Sequence, residues 1–132
     1  MSETQIILIE DDETTRSTIK GALENRGIQI LFDTPNVADA LHFAKKHRPQ
    51  AAVIDYNLGS GPNGADLARG LRKIDPGIGI VLLTAFLNPT QMPTVMARLP
   101  EGSRYLIKHT VSKIDVLVEE ISAALKSAPK KL

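Results

Sequence analysis

The chain has no cysteine, which excludes disulfides and thiol chemistry. It also lacks charge of one sign: 16 Lys and Arg against 15 Asp and Glu leave a formal net charge of +1. Non-specific nucleic-acid binding would need a basic stripe, and none is present. No apolar run approaches membrane-spanning length, and the polar N-terminal residues lack the apolar core of a signal peptide. There is no internal repeat and no histidine ligand spacing: His42, His47 and His109 read as structural or surface residues. These absences predict a cytoplasmic protein with no membrane contact and no direct nucleic-acid binding. What is present is a chain of 132 residues with ordinary apolar content, enough for one domain with a sizeable core.

Four short apolar runs end on polar groups. Ile6-Ile7-Leu8-Ile9 leads into Glu10-Asp11, and Ala51-Ala52-Val53-Ile54 into Asp55. Ile80-Val81-Leu82-Leu83 leads into Thr84, and Tyr105-Leu106-Ile107 into Lys108. In an open parallel sheet the carboxyl ends of the strands face one edge, and ligands bind there. Three acids, a hydroxyl and a lysine on one edge suggest a divalent cation and a phosphoryl group.

Between these runs the apolar residues recur with helical spacing. Strands are expected at residues 5–9, 28–33, 51–55, 79–83 and 104–107. Helices are expected at residues 13–26, from Thr34-Pro35 to 47, and at 64–74, with a fifth starting after Ser112. Gly27 is the expected stop of the first helix. The alternation gives a (βα)5 parallel sheet covered by helices on both faces. Residues 1–127 are expected to form the domain, and 128–132 a basic tail or the start of a linker. Met92 and Met96, four apart, are expected to pack.

Each motif has a plainer reading. Acids before a helix act as caps and favour its dipole, which suits Asp12 and leaves Glu13 solvated. Glu10 and Asp11 leave the strand directly, and crowded carboxylates repel unless a cation neutralises them. Mg²⁺ prefers such oxygen ligands and takes few protein carboxylates. Thr84 or Lys108 alone would be commonplace, and Tyr105 alone would read as half-buried core. Specificity comes from finding all four strand ends occupied together.

On the motifs Ile7-Leu8-Ile9-Glu10-Asp11-Asp12, Val53-Ile54-Asp55, Val81-Leu82-Leu83-Thr84-Ala85 and Tyr105-Leu106-Ile107-Lys108, the chain resembles the receiver domain of two-component response regulators, from Ile6 to about Leu125. The resemblance implies a flavodoxin-like, doubly wound fold with strand order 2-1-3-4-5, an order the handful of well-known receivers also illustrate. It implies Asp55 as phosphoacceptor, Thr84 and Lys108 as phosphoryl contacts, and Thr84 with Tyr105 as the switch. Mg²⁺ would be bound by Glu10, Asp11, Asp55 and the main-chain carbonyl of Asn57. The implied phosphodonor is a histidine kinase or histidine phosphotransfer protein, and the output an unidentified partner or a homodimer. Such a domain catalyses only its own phosphorylation and dephosphorylation.

Three other readings fit these residues less well. An aspartate-nucleophile phosphatase often carries a second acid two residues after the nucleophile, where this chain has Asn57. A flavin-binding relative needs a phosphate-cradling loop after the first strand, where this chain has four acids. A pseudo-receiver would not need all the site residues. The chain also departs from the family pattern: His109 follows Lys108 where proline is usual, so a trans peptide is expected there. The loop from Asp55 to Gly64 is slightly long. Pro89, Pro93 and Pro100 predict a short or irregular fourth helix, a loop over residues 85–94, and weakened dimers through the face that helix helps to form.

Overall fold

Strands buried on both faces read as unbroken apolar runs, and this chain has three of them at its centre. A computed structural model describes residues 4–85, 90–108 and 113–129. In chain order the elements are β1 (Gln5–Ile9), α1 (Glu13–Glu24), β2 (Gln29–Thr34), α2 (Val37–His47) and β3 (Ala51–Asp55). There follow α3 (Gly64–Ile74), β4 (Gly79–Thr84), α4 (Met92–Arg98), β5 (Arg104–Ile107) and α5 (Ile114–Ser127). All strand pairs are parallel and the order is β2-β1-β3-β4-β5, as expected.

Side chains alternate across the sheet, so each central strand feeds two cores. Ile7, Ile9, Ile54, Ile80 and Leu82 pack with Leu67 and Leu71 of α3 and Ala40 and Ala44 of α2. Ile6, Leu8, Val53, Val81 and Leu83 pack with Ile19 and Leu23 of α1 and Leu117 and Ile121 of α5. Every residue of β3 and β4 is buried, whereas β5 is half exposed.

The helix ends follow from local chemistry. Asp12 caps α1, its Oδ2 accepting from Thr15 N at 2.8 Å and from the Thr15 hydroxyl at 2.5 Å. α1 ends at Glu24, two residues before the expected end at Arg26, and Gly27 turns the chain with φ +79°. The cap expected at Thr34 falls instead on Asn36, whose Oδ1 accepts from Asp39 N. Thr34 is held in β2 opposite Ile9, and its Oγ1 accepts from Asn36 N at 3.1 Å, so the helix starts later. Asn63 and Asp66 form a reciprocal capping box on α3.

The fourth helix is short, as the prolines require. α4 starts at Met92 with Pro93 in its first turn, where the missing N–H costs little. Residues 92–94 are thus helical rather than loop, while residues 86–89 lie outside the described residues. So do Ser112, the expected cap of α5, and the Lys108–His109 peptide. Met96 is 45% exposed, contrary to the packed role expected for it.

Candidate phosphoryl-transfer and metal site

Register places the site. Ile9 pairs with Ile54, so Glu10 and Asp55 leave adjacent strands at the same level. Asp55 pairs with Leu83 and Thr84 with Ile107, which puts Thr84 and Lys108 one step farther out on the next two strands. The four strand ends named from the sequence therefore meet at one edge.

Three carboxylates gather there. Glu10, Asp11 and Asp55 each offer an oxygen, and these oxygens all lie within 4.8 Å of one another. Glu10 is fully buried, Asp55 is 3% exposed, and Asp11 faces solvent. Lys108 Nζ bridges the buried pair, 2.6 Å from Glu10 Oε1 and 3.3 Å from Asp55 Oδ2. Glu10 Oε2 accepts from Asp12 N at 3.3 Å.

The electrostatics follow from this crowding. Burial, reinforced by the neighbouring Glu10, pushes the Asp55 carboxyl up to about 7, with Lys108 pulling the other way. Desolvation opposes the charge on Lys108, but Glu10 and Asp55 outweigh it and hold the amine above its ordinary range. Hydrogen bonds from the Thr15 hydroxyl and backbone lower Asp12 instead, which marks it as a cap rather than a member of the crowded group. A set of hard oxygen donors carrying more negative charge than one lysine offsets fits a divalent cation such as Mg²⁺. The site can therefore present a nucleophilic carboxylate next to concentrated positive charge.

The remaining predicted residues are placed as follows. Thr84 is buried, and its hydroxyl donates to the Ala85 carbonyl at 2.9 Å. Tyr105 is 39% exposed. Asn57 is exposed, two residues past the end of β3, its Oδ1 accepting from Gly59 N at 3.2 Å. His42 and His47 are exposed surface residues, as expected, and His109 lies outside the described residues.

Two residues near the site escaped the sequence reading. Arg16, one turn into α1, donates from Nη1 to the Glu10 carbonyl at 2.8 Å and from Nε to Asp33 Oδ2 at 3.1 Å. Its only signal in the sequence is its place one helical turn after the acidic run. Gly64 opens α3 directly against the end of β3: a Cβ there would lie 2.4 Å from the Asp55 carbonyl oxygen and 2.8 Å from Tyr56 Cα. A glycine beside a helix cap is the signal that could have found it.

Comparison with known proteins agrees with this geometry. The family described as Response regulator receiver domain matches residues 6–122. The Photosynthetic apparatus regulatory protein RegA of Cereibacter sphaeroides is 33% identical over 85 residues, covering 64% of this chain and 45% of RegA. The DNA-binding transcriptional activator DevR/DosR of Mycobacterium tuberculosis is 27% identical over 123 residues, covering 92% of this chain and 52% of the activator. The chain thus spans about half the length of these curated relatives. The signal receiver domain of a modulated diguanylate cyclase from Desulfovibrio desulfuricans G20 shares the fold, with a TM-score of 0.80 at 22% identity and 95% coverage of both chains. With most of its length matched and its strand order in agreement, the chain belongs to the response regulator receiver domain family.

Proposed function

We propose that Asp55 accepts a phosphoryl group from a histidine kinase or histidine phosphotransfer protein in the cytoplasm, and that the domain signals through a changed interaction surface. The observation that carries this reading is the meeting of three carboxylates, Lys108 and Thr84 at one sheet edge. An Asp55 oxygen attacks the phosphorus of the phosphohistidine. A P–O bond forms, the N–P bond breaks, and the imidazole leaves with the bonding pair and takes up a proton. Lys108 then pairs with one phosphoryl oxygen, and Thr84 turns from the Ala85 carbonyl to donate to another. Tyr105, now exposed, follows Thr84 inward and changes the face around β5. The resulting surface serves an output partner or a second copy of the chain. Attack of water on the phosphorus of the acyl phosphate breaks the P–O bond to Asp55, releases inorganic phosphate and returns the carboxylate to its starting state.

Glu10, Asp11, Asp55 and the Asn57 main-chain carbonyl are the groups proposed to hold Mg²⁺, which when bound supplies positive charge against the crowded carboxylates and the phosphoryl oxygens. The test is intact-mass measurement after incubation with Mg²⁺ and acetyl phosphate. One phosphoryl adduct is expected on the unsubstituted protein and none on Asp55→Asn. An adduct that persists in Asp55→Asn overturns the assignment, and its absence from both proteins favours a pseudo-receiver.

A further inference from the structure

The peptide unit joining Glu10 to Asp11 sets the relative direction of two of the three clustered carboxylates. Both peptide units that flank the Glu10 Cα are tied down, the preceding one through its N–H and this one through its carbonyl. The Glu10 N–H donates to the Thr34 carbonyl of β2 at 3.1 Å, and the Glu10 carbonyl accepts from Arg16 Nη1 at 2.8 Å. Arg16 is itself anchored, because its Nε donates to Asp33 Oδ2 at 3.1 Å and its side chain is 15% exposed. A guanidinium presents its donors in a rigid planar fork, so one side chain can bind both acceptors at once. Lys20 also pairs with Asp33, at 3.2 Å on the other oxygen, but makes no contact with Glu10.

Resting on the metal-site reading above, we propose that Arg16 is a positioning residue: through the Glu10 carbonyl it fixes the peptide that aims Glu10 and Asp11 at the cation. Groups that orient metal ligands without touching the metal commonly carry about 10–100-fold in affinity. A competing account is purely electrostatic, and it has the opposite sign. Arg16 is a cation near an acidic cluster, so its charge alone disfavours a second cation, and neutralising it would tighten Mg²⁺ binding. A third account makes Arg16 only a bolt between α1 and β2, in which case Lys20 would share the effect.

Mg²⁺ titration followed by NMR in the absence of any phosphodonor separates these accounts. Arg16→Gln is expected to weaken Mg²⁺ binding by about 10–100-fold. Arg16→Lys, which keeps the charge but cannot span both acceptors, should also weaken it, though by less. Lys20→Gln should bind as the unsubstituted protein does. In the metal-free protein the Glu10 carbonyl ¹³C resonance should move in both Arg16 variants and stay in Lys20→Gln. Unchanged or tighter binding in Arg16→Gln overturns the proposal, as does equal weakening in Lys20→Gln. If Arg16→Gln fails to fold, Arg16→Lys alone decides, and undiminished Mg²⁺ affinity in it overturns the proposal. If the unsubstituted protein binds no Mg²⁺, it is the metal-site reading that fails.

Discussion

Lys108 stands closer to Glu10 than to Asp55, at 2.6 Å against 3.3 Å. The lysine is therefore shared, and the buried glutamate takes the shorter contact. Glu10→Gln should release Lys108 toward Asp55 and remove the repulsion that helps to raise the Asp55 carboxyl. Its titration, followed by the ¹³C carboxyl shift in metal-free protein, should move down from about 7 toward the usual carboxylate range. A midpoint that stays in place would mean that burial alone sets it.

The same shift predicts an unusual dependence of stability on pH. Asp55 titrates near its ordinary 3.8 in the unfolded chain and at about 7 when folded, so the folded protein keeps a proton that the unfolded chain has lost. This contribution to stability is complete below the unfolded pKa and disappears as pH rises through about 7. The raised pKa of Lys108 acts only in the alkaline range. Without metal, the melting temperature should fall between about pH 5 and pH 8 more steeply than that of Asp55→Asn. Parallel curves for the two proteins would contradict the shift.

Asp11 and Asp12 are adjacent but differ in what they do. Asp12 is occupied as the α1 cap, whereas Asp11 offers an oxygen to the carboxylate cluster. Asp11→Asn should therefore weaken Mg²⁺ binding by at least about tenfold, while Asp12→Asn, which keeps a capping oxygen, should leave Mg²⁺ binding nearly unchanged. Calorimetric titration of both variants would show it, and equal losses would mean that the ligand pair is misplaced.

Gly64→Ala should destabilise the fold by about 1–3 kcal/mol, because the added methyl meets not only the Leu82 side chain but also the backbone of Asp55 and Tyr56, which cannot turn away. Urea unfolding would measure the loss. Backbone amide shifts should change around Asp55 as α3 is pushed away from β3. An unchanged unfolding midpoint would show that the contact relaxes freely.

α4 should exchange its amides faster than α5. It has seven residues and one buried side chain, against fourteen residues and three buried side chains in α5. Hydrogen exchange read residue by residue would check this, and equal protection of the two helices would refute it.

The sequence made the edge of the sheet legible because its signal is one-dimensional. An apolar run followed by a polar residue marks a strand end, and the spans of β1, β3, α3 and β5 match those expected. The short α4 was legible for the same reason, since proline restricts its own chain locally. Thr34 misled because a good capping residue can also be a strand residue, and only pairing with Ile9 decides which. Arg16 and Gly64 were not legible because each acts across elements: one reaches a carbonyl six residues back, and the other lets a helix touch a strand.

The burial of the strands gives the sheet a gradient of stiffness. β3 and β4 are clamped by packing along their whole length, so Asp55 and Thr84 are mounted on a frame that cannot yield without disturbing both cores. β5 has four residues, is held from one side and is half open to water, and it carries Tyr105 and leads into Lys108. If Asp55 is phosphorylated as proposed, the new bond is made against the clamped strands, and the movement it drives falls on β5, as an anvil directs a blow into whatever rests loosely against it.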